Sequence, residues 1–205
     1  ATGLDYVVLT MVNRDDLEDE GAQHVAACIG AIKRRTPAVL VEALIGDFSG
    51  RDRLVDVVCD AAPDVLAHNI ETVERLQTAV RDRRSGFKRS LGVLSRAKAH
   101  HLQPRTKSSI MLGLGERDDE IIAAMKALRQ RGVDFLTMGQ YLQPTPEHLP
   151  VRKYVHPTTF DAHREKGEAL GFHYVASGPL VRSSYRAGEH FIRASIASRR
   201  AGPNE

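Results

Sequence analysis

Five short stretches, each at the end of an apolar run, carry the side chains best suited to chemistry. They are Asn13-Arg14-Asp15-Asp16, Asp47, His68-Asn69-Ile70-Glu71-Thr72, Gly113-Leu114-Gly115-Glu116 and Gly139-Gln140-Tyr141-Leu142-Gln143. A sixth, Ala176-Ser177-Gly178-Pro179-Leu180-Val181-Arg182-Ser183-Ser184-Tyr185-Arg186-Ala187-Gly188, puts arginine, two hydroxyls and a tyrosine between a strand and a helix. Such residues bind a polar ligand by charge and hydrogen bonds, and glycines let a planar ligand lie against the backbone. Each stretch also has a plainer reading. Asp15, Asp16 and Thr72 are candidate helix N-caps, as are Ser183 and Ser184. His68 reads as a hydrogen-bonded turn histidine, and residues 113–116 as a turn leading into an acidic first helical turn.

The elements that position these residues alternate. Apolar, β-branched runs predict strands at 6–11, 40–45, 65–67, 107–112, 135–138 and 173–176. Helical spacing predicts helices at 21–35, 51–60, 72–81, 87–100, 117–131, 158–170 and 186–199. Val25, Ile29 and Ile32 form one stripe, and Ile121, Ile122, Met125 and Leu128 another. Pro37 limits the first helix, Gly132 stands where a left-handed C-cap is wanted, and Gly171 ends a later helix. Strand–helix alternation implies a parallel sheet with helices outside it, and functional groups in such folds gather at the carboxyl ends of the strands. The polar stretches therefore belong to one rim. Periodicity does not settle whether the sheet is open or curled. No Gly-x-Gly-x-x-Gly opens the first helix, which counts against a dinucleotide-binding sheet.

Composition narrows the classes. The 205 residues carry 29 Lys and Arg against 26 Asp and Glu, a formal charge of +3, too small to argue for nucleic acid. The basic clusters at 81–84 and 199–200 read as solvated surface, and the tail at 198–205 as frayed. No apolar run approaches the roughly 18 residues of a spanning helix, and the opening residues Ala-Thr-Gly-Leu-Asp-Tyr do not read as a signal or transit peptide. The two cysteines, Cys28 and Cys59, lie in amphipathic helical surroundings and read as small buried apolar residues, which excludes a complete cysteine metal site. A chain that opens without Met, almost directly on a strand, is expected to be a processed or truncated piece.

Arg182-Ser183-Ser184-Tyr185-x-Ala187 resembles the C-terminal signature of lipoyl synthases. So do Leu4-Asp5-Tyr6-Val7-Val8-Leu9-Thr10, Asn13-Arg14-Asp15-Asp16-Leu17, Ala67-His68-Asn69-x-Glu71-Thr72-Val73, Arg89-Ser90-Leu91 and Thr106-Lys107-Ser108. The glycine stretch 113–116, Gly139-Gln140-Tyr141-Leu142-Gln143-Pro144, His148-Leu149-Pro150-Val151 and residues 176–181 match too, so the similarity covers nearly the whole chain. The resemblance implies an α/β fold, a partial parallel βα barrel of the radical S-adenosylmethionine type over 1–150. Residues 151–205 would be an extension packed on the barrel mouth. It implies two 4Fe-4S clusters: one on a C-x-x-x-C-x-x-C loop, cleaving S-adenosylmethionine to a 5′-deoxyadenosyl radical, and one on a second cysteine triplet plus a serine, consumed as the sulphur source. The substrate implied is an octanoyl group on a lipoyl-carrier domain, with sulphur inserted at C6 and C8. Asn69, Gly113, Glu116 and Gln140 are then expected at the S-adenosylmethionine or substrate pocket, and Ser184 as the cluster ligand.

The sequence departs from the family in lacking both cysteine motifs, which would lie before Ala1 together with the first barrel strand. Smaller departures are Met11, Asn13, residues 18–21 and Gly46. The resemblance is closer to eukaryotic members, which implies a mitochondrial location, with a cytoplasmic one as the alternative. Two rivals remain: a non-catalytic module that binds the carrier domain, and an aldolase-like barrel with Lys107 as a Schiff-base lysine.

Overall fold

The computed structural model describes residues 4–182. Six strands form one sheet: β1 (Tyr6–Thr10), β2 (Leu40–Leu44), β3 (Val65–Ala67), β4 (Arg105–Leu112), β5 (Phe135–Gln140) and β6 (Tyr174–Gly178). They pair in sequence order and every pair is parallel. The helices between them are α1 (Ala22–Arg35), α2 (Asp52–Asp60), α3 (Gln77–Val80), α4 (Phe87–Ala99), α5 (Asp118–Gln130) and α6 (Pro157–Ala169).

Alternation along the strands explains the layering. Val41, Ala43, Ile45 and Leu66 join α1 and α2 in one outer cluster. Ile110, Leu112, Leu136 and Met138 join α4, α5 and α6 in another. Helix α4 serves both, giving Phe87, Leu91 and Leu94 to one and Val93 and Ala97 to the other. On the opposite face, Leu40, Val65 and Phe135 pack with Tyr6 and Tyr174 into a floor. The next layer towards the carboxyl ends holds a buried ion pair. Lys107 Nζ lies 2.9 Å from both Glu42 oxygens, and the Tyr6 hydroxyl donates to Glu42 Oε2 at 2.5 Å. Six parallel strands in order, with a filled inner face, make a partial βα barrel.

Several local expectations hold and others shift. Gly132 (φ 74°) and Gly171 (φ 89°) adopt the left-handed conformation just past α5 and α6. The helix expected over 72–81 is a 3-10 turn at Glu74–Leu76 followed by the four-residue α3. It stays short because the Gln77 amide donates to Ile70 O (2.9 Å) and Thr72 O (2.6 Å), fastening the chain to the end of β3. Thr72 is no cap, since its buried hydroxyl has no partner among the described residues. Asp15 and Asp16 are not caps either: they pair with Arg84 and Arg14. The carboxylate at the start of α1 is Asp19, which accepts from Gly21 N and Gln23 N. Cys59 is buried as expected, with its thiol pushed up to about 12 chiefly by desolvation. Cys28 is only half-buried, on the flank of α1 beside the open edge of β1.

Candidate functional site

Period-two geometry sends Asn69 and Glu71, just beyond β3, to the inner face of the mouth. Two adjoining clefts meet there. One, of about 330 Å³, is lined by Asn69, Glu71, Ser109, Met111, Gly139 and Arg182 among others. The other, of about 210 Å³, is lined by Asn13, Asp47, His68, Asn69, Glu71 and Arg81 among others. Asn69 and Glu71 belong to both and form the wall between them.

Glu71 is held in an uncommon conformation, φ 64°, which costs a residue with a side chain about 1–3 kcal/mol. Its N–H donates to Ser109 O at 3.1 Å and its carbonyl accepts from Met111 N at 2.8 Å, so strand β4 fixes it on both sides. Burial raises the carboxyl pKa, opposed by a hydrogen bond from Asn69 and by the charge of Arg81. Arg81 itself is placed by a buried relay. Its Nη1 donates to Ser90 Oγ (2.8 Å) and to Gln77 Oε1 (3.2 Å). His68 bridges Ile45 O through Nδ1 (2.9 Å) and Ser90 Oγ through Nε2 (2.9 Å). A carbonyl only accepts, so Nδ1 carries the proton and Nε2 accepts from the serine. Burial drives the His68 pKa down to about 4 and keeps the ring neutral. Burial lowers the Arg81 pKa, opposed by the charges of Glu71 and Asp47, and the side chain lines the smaller cleft. Asp47 Oδ2 is buried with no hydrogen-bond partner among the described residues, 3.7 Å from Arg89 Nη1.

The sequence-selected residues fall in different roles. Asn69 faces both clefts. Gln140 borders the larger cleft, but its amide is spent on the scaffold: Nε2 donates to Tyr141 O and Lys153 O, and Oε1 accepts from Val155 N. Gly113 (φ 108°) and Glu116 form the loop after β4, and the Glu116 carboxylate accepts from Gly113 N (2.5 Å) and Leu114 N (2.9 Å). Ser184 lies outside the described residues. The chain leading to it passes over the mouth: Val181 O stands where a Gly139 Cβ would be, and Arg182 Nη1 donates to Gln140 O at 3.4 Å. Sequence reasoning placed Asp47 and Glu71 on the rim without selecting them as site residues. Arg81 it read as surface, and a basic cluster gives no other signal.

A curled, all-parallel sheet whose charged and polar groups converge at the strand carboxyl ends defines an α/β barrel-type enzyme scaffold. Residues 1–134 match the model of the Radical SAM superfamily. The chain is 54% identical over 200 residues to lipoyl synthase 1, chloroplastic, of Zea mays, covering 98% of this chain and 55% of that protein. It is 54% identical to the mitochondrial lipoyl synthase of Rattus norvegicus (97% and 53% covered), and 55% identical to the lipoyl synthase of Anaeromyxobacter dehalogenans (96% and 67% covered). The chain belongs to the radical SAM superfamily and, within it, to the lipoyl synthase family. It spans about half the length of most of these relatives. Among solved structures it is similar in fold to methylornithine synthase (TM-score 0.59, 15% identity, covering 75% of this chain and 43% of that one). The HMG-CoA lyase of Brucella melitensis is a further fold relative (TM-score 0.55, 14% identity, covering 96% and 67%).

The family implies S-adenosylmethionine and an iron–sulphur cluster. The mouth fits the first: it offers a cation at Arg81, a buried Asp47 carboxylate oxygen that is met, among the described residues, only by the long ion pair to Arg89, and Asn69 beside a strained Glu71. The described residues do not fit a cluster. Cys59 is buried in an outer helical core, and Cys28 sits on α1 with its Sγ 3.7 Å from His24 Nε2. No second thiol accompanies either.

Proposed function

We propose that these residues are the C-terminal part of a lipoyl synthase, a sulphurtransferase that inserts sulphur at C6 and C8 of an octanoyl group on a lipoyl-carrier domain. The supporting observation is 52–55% identity to lipoyl synthases along nearly the whole chain. Bound S-adenosylmethionine, with a cluster, supplies the radical chemistry needed at unactivated methylenes, which no side chain supplies. The chain's own residues bind and orient. Arg81, fixed by His68 and Ser90, receives a carboxylate, and Asp47 receives an ammonium group. Asn69 and Glu71 hydrogen-bond hydroxyls or ring nitrogens. Gly113 and Glu116 shape the loop at the cofactor's edge, and Gln140 fixes the floor of the larger cleft.

The chain after β6 crosses the mouth at Val181 and Arg182, and the residues beyond would bring Ser184 to the auxiliary one of two 4Fe-4S clusters. The 205 residues taken alone offer two thiols and would assemble neither cluster, so they are inactive without the cysteine-bearing segment. The location proposed is mitochondrial, and the partner is the octanoylated carrier protein.

The test uses protein that includes the cysteine-bearing segment, reconstituted with iron and sulphide and given an octanoylated carrier domain. Lipoyl product and 5′-deoxyadenosine are both measured. Ser184→Ala is expected to keep 5′-deoxyadenosine formation and lose lipoyl product. Lipoyl formation at the normal rate in Ser184→Ala overturns the serine assignment. Cleavage of S-adenosylmethionine with no lipoyl product in the unmodified protein overturns the substrate.

A further inference from the structure

At the end of the sheet opposite the mouth, two helices stop side by side. Helix α2 ends at Asp60 and α4 at Ala99, and each is followed by the amino end of a strand, β3 or β4. His100 and His101 come directly after α4. His100 is buried, and its Nε2 lies 3.1 Å from Asp60 Oδ1. The two imidazole rings sit 4.3 Å apart, tilted by 42°. One ligand atom from each of Asp60, His100 and His101 lies within 4.8 Å of the other two.

From this cluster we infer that Asp60, His100 and His101 form a site for one divalent transition-metal ion of the zinc class. Two independent features support a cation here. Two imidazoles and a carboxylate are the donor set such ions prefer, whereas magnesium and calcium take oxygen ligands. The place is also electronegative, because two helix carboxyl ends, each with partial negative charge, converge on the Asp60 carboxylate. Nearby cations do not neutralise it: Arg96 is bound to Asp56 at 2.7 and 2.5 Å, and Lys98 to Asp134 at 2.5 Å.

Tetrahedral bonds of roughly 2.0–2.2 Å require the donor atoms to draw closer than 4.8 Å. Asp60 and His101 are exposed and free to rotate inwards, while buried His100 is the fixed ligand. His100 Nδ1 accepts from Leu102 N at 3.3 Å, so the proton shared between Nε2 and Asp60 must move to Nδ1 and that long contact must open. This cost makes the site weaker than a preformed structural zinc site. Three protein ligands leave the fourth position to water. The bound ion would pin the end of α2 to the turn before β4 and stabilise the native state by mass action. The site shares no residue with the mouth, so it stands independently of the proposed activity.

The probe is Co²⁺ titrated into the full 205-residue chain, followed by its visible absorption, with Zn²⁺ as competitor. One saturable equivalent, displaced by Zn²⁺, is expected, together with a higher melting temperature. His101→Ala and Asp60→Asn, both at exposed positions that spare the core, should each weaken binding at least about tenfold. His24→Ala should leave it unchanged. Absence of saturable Co²⁺ binding overturns the site, as does binding unaffected by the two substitutions or equal stabilisation by Mg²⁺.

Discussion

His68 shows what a buried neutral imidazole does at the edge of a ligand site. Its folded pKa, about 4, lies below the value near 6.5 of an unfolded histidine. The unfolded chain therefore takes up the proton first. The stability this ring contributes is complete above pH 6.5 and is lost as pH falls towards 4. Between pH 7 and pH 5 that loss is about 2 kcal/mol. Urea midpoints compared between the unmodified protein and His68→Gln should converge by about that amount as pH drops from 7 to 5; parallel curves would refute the neutral assignment. Glu71 has the opposite character. Its carboxyl pKa is raised by burial, so the ionised form costs stability as pH rises through the carboxylate range. Glu71→Gln should therefore match or exceed the unmodified protein in melting temperature at pH 7 while weakening S-adenosylmethionine binding, measured by calorimetry. Much at this scale was legible. His68 read as a hydrogen-bonded turn histidine, and residues 113–116 as a turn, because both follow from local chain chemistry. Arg81 did not, because beyond its local partner Gln77 it is placed by Ser90 and Glu71, which reach it only through folding.

At the scale of elements, the inner ion pair ties β2 to β4 across the small Ala67 of β3. Lys107 is held by both oxygens of Glu42, which is 1% exposed, so its Nζ is taken up by the buried ion pair rather than presented to a carbonyl substrate. That removes the basis for an aldolase-like role, and borohydride with a carbonyl substrate should trap no adduct at Lys107. Glu42→Gln leaves a buried ammonium without its counter-charge and should cost about 3–5 kcal/mol in urea unfolding. Glu42→Leu combined with Lys107→Met should recover most of that loss, because apolar replacement of a whole buried pair is often neutral. All six strands and the long helices among the described residues were readable from period, since continuous apolar runs mark strands covered on both faces, whereas the helix expected at 186–199 lies outside the described residues. The 72–81 segment was misread because its pattern is helical while the Gln77 amide binds Ile70 O and Thr72 O and ties the segment's start to the end of β3. The curl of the sheet was not readable, because it depends on which residues fill the inner face.

At the scale of the molecule, the chain makes a scaffold whose far end is fastened by floor packing and whose near end is left polar for a ligand. The return of the chain after β6 links the two functions. Residues 179–182 lie over the end of β5, and Gly139 makes that approach possible because a Cβ there would collide with the carbonyl of Val181. The neighbours of Gly139 on β5 stay in place whatever its side chain: Met138 packs in the outer core, and Gly139 pairs with both Met111 and Gly178 in the sheet. Gly139→Ala should therefore leave the barrel folded, with overpacking costing about 1–3 kcal/mol, while displacing the segment that carries Ser184. In protein carrying the cysteine segment, the expected result is near-normal 5′-deoxyadenosine formation with lipoyl product reduced at least tenfold. Both products falling together with the melting temperature would mean that the glycine serves only packing. A full rate of lipoyl formation would mean that the return of the chain over the mouth does not deliver Ser184.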